Sequence, residues 1–178
     1  MPRAFLAFGF PPAIREELVA LQPTARPGVH PAARDQLHLT LLFLGELSES
    51  RLSSLAGALD ELVHPAPRLA LAGVGVFAND DRPSFLWVGV ERSEELLELR
   101  SRLLSVVETL GIEVASETYR PHVTLARVDR LDEGVFDLFE RDHANFRVEL
   151  VAERLGLWVV AGDGQVPRYL ERHQVRLG

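Results

Sequence analysis

The chain has 178 residues, 47% of them hydrophobic and 25% charged, which suits one soluble domain with a proper core. It holds no cysteine, which excludes disulfides, thiolate zinc sites and a cysteine nucleophile. All 19 basic residues are arginine, which excludes a lysine base, Schiff-base former or phosphate clamp. A net charge of −7 argues against tracking a long nucleic-acid backbone; were the ligand a nucleic acid such as RNA, a local arginine cluster would have to grip a terminus or a single nucleotide.

Arg3 to Phe10 reads as a strand, after which Pro11 and Pro12 open a helix to about Leu21. Proline suits a first turn, whose N–H groups have no helical partner. These prolines interrupt the apolar N-terminus, and no window approaches 18 uninterrupted apolar residues. Neither a secretory leader nor a membrane span is expected, and a cytoplasmic location follows. Pro23 and Pro27-Gly28 mark a loop, and Gln36 to Leu44 a strand. Ser48 caps a helix to about Val63, with Leu52, Leu55, Leu59 and Leu62 at helical spacing, ended by His64-Pro65-Ala66-Pro67. Arg68 to Phe77 and Ser84 to Val90 read as strands separated by the turn Asn79-Asp80-Asp81-Arg82-Pro83. Ser93 caps a helix to Leu110, with Glu94 and Glu95 favourable to its dipole and Gly111 at its C-terminal end. A strand from about Pro121 to Val128 and a short helix around Asp132 to Arg141 follow. Phe146 to Val160 and Val166 to Leu177, joined by Ala161-Gly162-Asp163-Gly164-Gln165, read as a long antiparallel hairpin.

Two of these strands carry the same pattern, His38-Leu39-Thr40-Leu41 and His122-Val123-Thr124-Leu125, 84 positions apart. At this composition one such pattern is expected roughly 0.04 times by chance. Alternation along a strand puts His38 with Thr40, and His122 with Thr124, on one face while the aliphatic residues take the other. Two imidazoles facing one another suit in-line displacement at phosphorus, where attacking and leaving oxygens lie on opposite sides and need a base and an acid. Each threonine hydroxyl can donate to a non-bridging phosphate oxygen. No metal-ligand spacing is present, and Asp35 is the one acidic residue within three positions of either motif histidine, so neither a metal nor a cofactor is expected. The interleaved helices and strands, with motifs about half a chain apart, predict an α+β protein. It is expected to be a single domain, 1–178, of two pseudo-symmetric lobes, each with an antiparallel sheet, helices and one motif (38–41 and 122–125), facing across an active-site cleft.

Gln36-Leu37-His38-Leu39-Thr40-Leu41-Leu42-Phe43-Leu44-Gly45-Glu46 and Tyr119-Arg120-Pro121-His122-Val123-Thr124-Leu125-Ala126-Arg127 resemble the paired motifs of the 2H phosphoesterase superfamily. They are most similar to its bacterial and archaeal RNA 2′,3′-cyclic phosphodiesterases, also called 2′-5′ RNA ligases. The Phe5-to-Phe10 strand before Pro11, the Leu86-Trp87-Val88-Gly89-Val90 strand and the terminal hairpin extend the likeness along the whole chain. The resemblance implies a bilobed fold with a duplicated sheet, and metal-independent hydrolysis of an RNA 2′,3′-cyclic phosphate to a 2′-phosphomonoester. It makes His38 the proton donor to the leaving 3′ oxygen and His122 the acceptor that activates water, with Thr40 and Thr124 holding the phosphate and Arg120 adding a contact. Arg120 has an alternative use as an ion-pair partner of Glu117.

The expected partners are RNA ends or nucleoside 2′,3′-cyclic phosphates, with no membrane and no obligate protein partner, the chain acting as a monomer. Ligation of a cyclic phosphate to a 5′-hydroxyl is the reverse chemistry, and a non-catalytic RNA-end binding module is a third reading, disfavoured by two intact motifs. Leu39, Leu41 and Phe43 share one alternation phase, which assigns Phe43 to the core in preference to base stacking. In a regular strand Arg127 lies on the Val123/Leu125 face, as a structural ion pair. His30, His64, His143 and His173 have no partner pattern and are expected at the surface or in loops. Gly73-Val74-Gly75 is too short a glycine pattern for a dinucleotide loop.

Overall fold

The computed structural model describes residues 1–78, 83–115, 118–130, 133–161 and 168–178. Its elements run β1 Arg3–Gly9, α1 Pro12–Ala20, β2 Val29–Pro31, a 3₁₀ turn Arg34–Gln36, β3 His38–Glu46, α2 Glu49–Asp60, β4 Arg68–Phe77 and β5 Ser84–Val90. There follow α3 Glu94–Thr109, β6 His122–Val128, α4 Glu133–His143, β7 Arg147–Val151, β8 Arg154–Ala161 and β9 Arg168–Arg176. The architecture is α+β, with two antiparallel sheets ordered β3-β1-β8-β9 and β2-β6-β5-β4-β7. The two motif strands, β3 and β6, stand in different sheets. Among the described residues, no helix is long and apolar enough to cross a membrane.

Local signals set the helices. The Ser48 hydroxyl accepts from the Arg51 N–H (3.3 Å) and the Ser93 hydroxyl from the Leu96 N–H (3.2 Å), each satisfying an orphan donor of a first turn. Gly111, at φ +66°, takes the left-handed position after α3 that a side chain disfavours. Packing outweighs these ends: α3 buries Leu96, Leu99, Leu103 and Val107 along one face. Each such side chain is worth about 1.5–3 kcal/mol, against about 0.3–1 for a charge in the first turn.

The sheets share a register. Gly9 pairs with His38 and Phe8 with Leu39; Gly89 pairs with His122 and Val88 with Val123. Both ladders then slip by one residue at the same place, leaving Leu41 and Leu125 as the extra residue of a bulge. The bulge buries two consecutive residues, Leu41 and Leu42 in β3, Leu125 and Ala126 in β6, and reverses the alternation beyond.

That reversal corrects two expectations. Phe43 is not in the core; it is 65% exposed and shares the His38 face, its ring 6.2 Å from that of Phe5. Arg127 turns onto the His122/Thr124 face, although the expected ion pair exists, with Asp129 at 3.0 Å. A third correction concerns the stretch read as one strand from Phe146 to Val160. It divides at Ala152 and Glu153, so that β7 pairs with β4 in one sheet and β8 with β1 and β9 in the other. Ala152 is buried and donates its N–H to the Pro67 carbonyl at 2.9 Å, so a strand-like composition continues through the crossing without a glycine or proline to mark it. The hairpin is β8–β9 alone, and its loop 162–167 lies outside the described residues, as does the turn at 79–82. The segment after Pro27-Gly28 includes the short strand β2, which pairs with β6. His30 sits in that strand and His173 in β9, both at the surface as expected, and they are bonded to Asp129 (2.9 Å) and Asp60 (2.8 Å).

Candidate active site

Each motif histidine is oriented by its own strand. The Nδ1–H of His38 donates to the Gln36 carbonyl and that of His122 to the Arg120 carbonyl, both at 2.7 Å. A carbonyl can only accept, so Nδ1 carries the proton in both rings and Nε2 is left to act as acceptor when neutral and donor when charged. Aromatic rings fix the planes. Phe5 and Tyr169 lie 5.0 and 4.9 Å from the His38 ring, and Phe77 lies edge-on to His122 at 4.8 Å. A tryptophan stands at 6.3 Å from each imidazole, Trp158 beside His38 and Trp87 beside His122. Each indole lies over a glycine, Gly156 and Gly75, where a methyl group would overlap it.

The glycines opposite the histidines, Gly9 and Gly89, also have indole atoms within van der Waals reach. The Gly73-Val74-Gly75 pattern therefore serves β4 and the seat of Trp87, not a dinucleotide loop. Gln36 adds a further anchor, its amide pairing with both the N–H and the carbonyl of Tyr169.

Burial lowers the His38 pKa below the usual imidazole range; the Gln36 carbonyl opposes this, and charge on His122 disfavours a second proton. Thr40 and Thr124 are half-buried on the histidine faces, and among the described residues neither hydroxyl has a hydrogen-bond partner within the protein. Arg120 is brought close only through its carbonyl; its side chain is exposed, without an ion pair among the described residues, and Glu117 lies outside them. Sequence reasoning passed over Arg127 as a member of the His122 face, because a bulge cannot be read from one strand alone.

The bulges are held from across the molecule. The Tyr119 hydroxyl, before β6, donates to the Thr40 carbonyl of β3 at 3.2 Å, and Arg100 Nε on α3 donates to the Leu41 carbonyl at 3.1 Å. The Arg100 guanidinium also lies 4.5 Å over the Tyr119 ring. Burial pushes the Tyr119 phenol well up, against the nearby Arg100 and Arg92 charges, so it remains a donor. On the other side Gln22 Nε2 donates to the Leu125 carbonyl at 2.9 Å. Both bulge carbonyls are thus caught by a side chain from outside their sheets' strands, that of Leu41 from α3 and that of Leu125 from the bend after α1.

The 2′-5′ RNA ligase superfamily model matches residues 10–164. The chain is 30% identical over 141 residues to an RNA 2′,3′-cyclic phosphodiesterase of Archaeoglobus fulgidus, covering 78% of this chain and 80% of the relative. It is 38% identical over 136 residues to one of Thermus thermophilus, covering 70% and 68%. A crystal structure of a Thermus thermophilus protein superposes with a TM-score of 0.75 at 28% identity, over 98% of this chain and 97% of that one. With both motifs, the paired strands that carry them and nearly the whole length matched, the chain belongs to the 2′-5′ RNA ligase superfamily.

Proposed function

We propose that this chain hydrolyses RNA 2′,3′-cyclic phosphate ends to 2′-phosphomonoesters by acid–base catalysis between its two motif histidines. The observation that carries the reading is the matched pair of imidazoles, each with Nδ1 tied to the carbonyl two residues earlier and Nε2 left for chemistry. The names of the curated relatives support the substrate class. His122 takes a proton from water as the water oxygen bonds to phosphorus. The bond to the 3′ oxygen breaks, and His38 gives its Nε2 proton to that oxygen, leaving a 3′-hydroxyl and a 2′-phosphate. Burial disfavours the charged form of His38 in the free protein, so the negative phosphodiester stabilises the donor as it binds.

Thr40 and Thr124 donate to the non-bridging oxygens, and arginine neutralises their charge. Arg120 serves from the loop before β6, and Arg127 is an additional candidate because the bulge places it on the His122 face. Residues 1–178 act as a single domain of two repeated lobes, one motif in each, an arrangement supported by the matched registers of β1/β3 and β5/β6. Ligation uses the same groups in reverse, a 5′-hydroxyl replacing water, and the family description favours retaining it as a second activity.

Incubation with a nucleoside 2′,3′-cyclic phosphate tests the reading: conversion to a monophosphate is expected, and an unchanged cyclic ester would remove the hydrolase.

A further inference from the structure

Beyond the histidine and threonine rows, the two sheets match once more. In the first, Ala7 pairs with Thr40 and, past the bulge, Phe5 pairs with Phe43. In the second, Trp87 pairs with Thr124 and, past the equivalent bulge, Phe85 pairs with Arg127. Phe85 also pairs with Phe77 of β4. Residues directly opposite in an antiparallel ladder share a face, so Arg127, Phe85 and Phe77 form a row on the face that bears His122 and Thr124. The Phe77 ring joins this row to the reacting group, 4.8 Å from the His122 imidazole and 5.3 Å from the Trp87 ring.

Phe85 is the member of the row that hydrolysis leaves without a task. Of the nine phenylalanines, Phe43 and Phe85 are the two that the fold exposes, Phe85 at 37%. A lone exposed ring is ordinary on a protein surface. Two in the corresponding row of two sheets, each one step past a motif threonine, belong to the site. The far end of the Phe85 row is polar: Arg127 is fixed by Asp129 (3.0 Å), which also holds His30 (2.9 Å), the partner of Arg127 in β2. A π-face bordered by a guanidinium suits a nucleobase, which offers a ring to stack and polar edges.

Position decides which nucleoside brings that base. Phe85 stands two residues along β5 from Trp87, the partner of Thr124, which is about 7 Å of strand. A nucleoside covers such a span between its 5′ oxygen and its base. In the proposed reaction His122 takes the proton of the attacking group, so whatever the attacking oxygen carries lies along the second sheet. Water carries nothing there, whereas a 5′-hydroxyl carries a nucleoside.

We infer that Phe85, flanked by Phe77 and Arg127, seats the base of an acceptor nucleoside, whose 5′-hydroxyl then competes with water for the cyclic phosphate. The inference rests on the proposed function and adds to it the residue that favours a nucleoside over water. In this reaction the 5′ oxygen bonds to phosphorus and gives its proton to His122. The bond to the 3′ oxygen breaks, that oxygen takes the His38 proton, and a 2′-5′ linkage results. Cleavage of such a linkage runs the same steps backwards: the 3′-hydroxyl attacks, and the 5′ oxygen leaves with a proton from His122.

The test follows cleavage of 2′-5′-linked diadenosine monophosphate and of the same compound with an abasic ribose on the 5′-oxygen side. Hydrolysis of adenosine 2′,3′-cyclic phosphate is measured alongside, in the parent protein, Phe85→Ala and Phe85→Leu. The parent should favour the complete dinucleotide over its abasic counterpart by about tenfold or more in kcat/KM, chiefly through KM, as base stacking provides. Both variants should bring that ratio towards one. Phe85→Leu keeps apolar bulk on β5 without a π-face and carries the test if Phe85→Ala does not fold. Because each ratio is taken within one variant, changes in overall rate cancel. A parent that hydrolyses the cyclic phosphate but leaves the dinucleotide intact, a parent ratio near one, or a preference that survives in both variants overturns the acceptor site and leaves the hydrolase standing. Failure of the parent on the cyclic phosphate as well overturns the hydrolase reading itself.

Discussion

Arg100→Met isolates the contact that ties α3 to the bulge of β3. The change keeps much of the side-chain stem but removes the Nε–H bond to the Leu41 carbonyl (3.1 Å) and the cation above Tyr119 (4.5 Å). A hydrogen bond from a charged donor contributes about 1.5–3 kcal/mol, and a partly desolvated cation–π contact about 0.5–2. These two are not independent, so the expected loss is about 2–4 kcal/mol. For a chain of this size that corresponds to a fall in Tm of roughly 5–15 °C. The functional consequence follows from where Leu41 stands, three residues from His38 in the bulge whose partner carbonyl, that of Thr40, is held by Tyr119. Loosening the clamp displaces His38 and Thr40 relative to β6, and misplacement by an ångström lowers kcat on the order of 100-fold. Arg100→Lys, with its charge but without the planar Nε donor, should recover only part of both losses. Thermal unfolding followed by circular dichroism, with turnover measured well below Tm, reads the two effects separately. An unchanged Tm and kcat in Arg100→Met would refute the clamp.

His38→Ala and His122→Ala should each lower kcat by about 10²–10⁴-fold, and the double variant by much less than the product of the two losses, because the pair acts as a unit; steady-state kinetics on a nucleoside cyclic phosphate checks this, and near-full activity in either single variant would remove that residue from the mechanism. The pH profile should be bell-shaped, and its alkaline limb reports the donor. Burial lowers His38, so in kcat/KM, which reads the free protein, that limb should lie below the usual imidazole range. In kcat the bound phosphodiester favours the imidazolium and the limb should move to higher pH; a limb that stays put, or one unaffected in His38→Asn, contradicts the donor assignment. Excess chelator should leave the rate unchanged, since the two imidazoles supply both proton transfers, and activity lost in EDTA and restored by a divalent cation would contradict that division of labour.

Contributions that are local in the chain were legible in it. Ser48 and Ser93 announced two helices because a cap bonds within three residues, and the strands Arg68–Phe77 and Ser84–Val90 begin and end as their alternation indicates. That His38 shares a strand face with Thr40, and His122 with Thr124, was legible because a strand's period of two puts i and i+2 on one face. The bulges were not, since each arises from the pairing of two strands, and they decide where Phe43 and Arg127 point. The passage of 146–160 between two sheets was hidden because Ala152 is as acceptable in a strand as at a buried crossing.

The position of the phosphate on the product tests the central claim most directly, because it depends on which ester oxygen lies in line with His38. Phosphorus NMR of the reaction on a nucleoside 2′,3′-cyclic phosphate, or chromatography against authentic 2′- and 3′-nucleotides, reads it without ambiguity. The account predicts a 2′-phosphomonoester, with the 3′ oxygen leaving as a hydroxyl; a predominant 3′-phosphate would mean that the ring binds in the opposite sense and that His38 is not the donor to the 3′ oxygen.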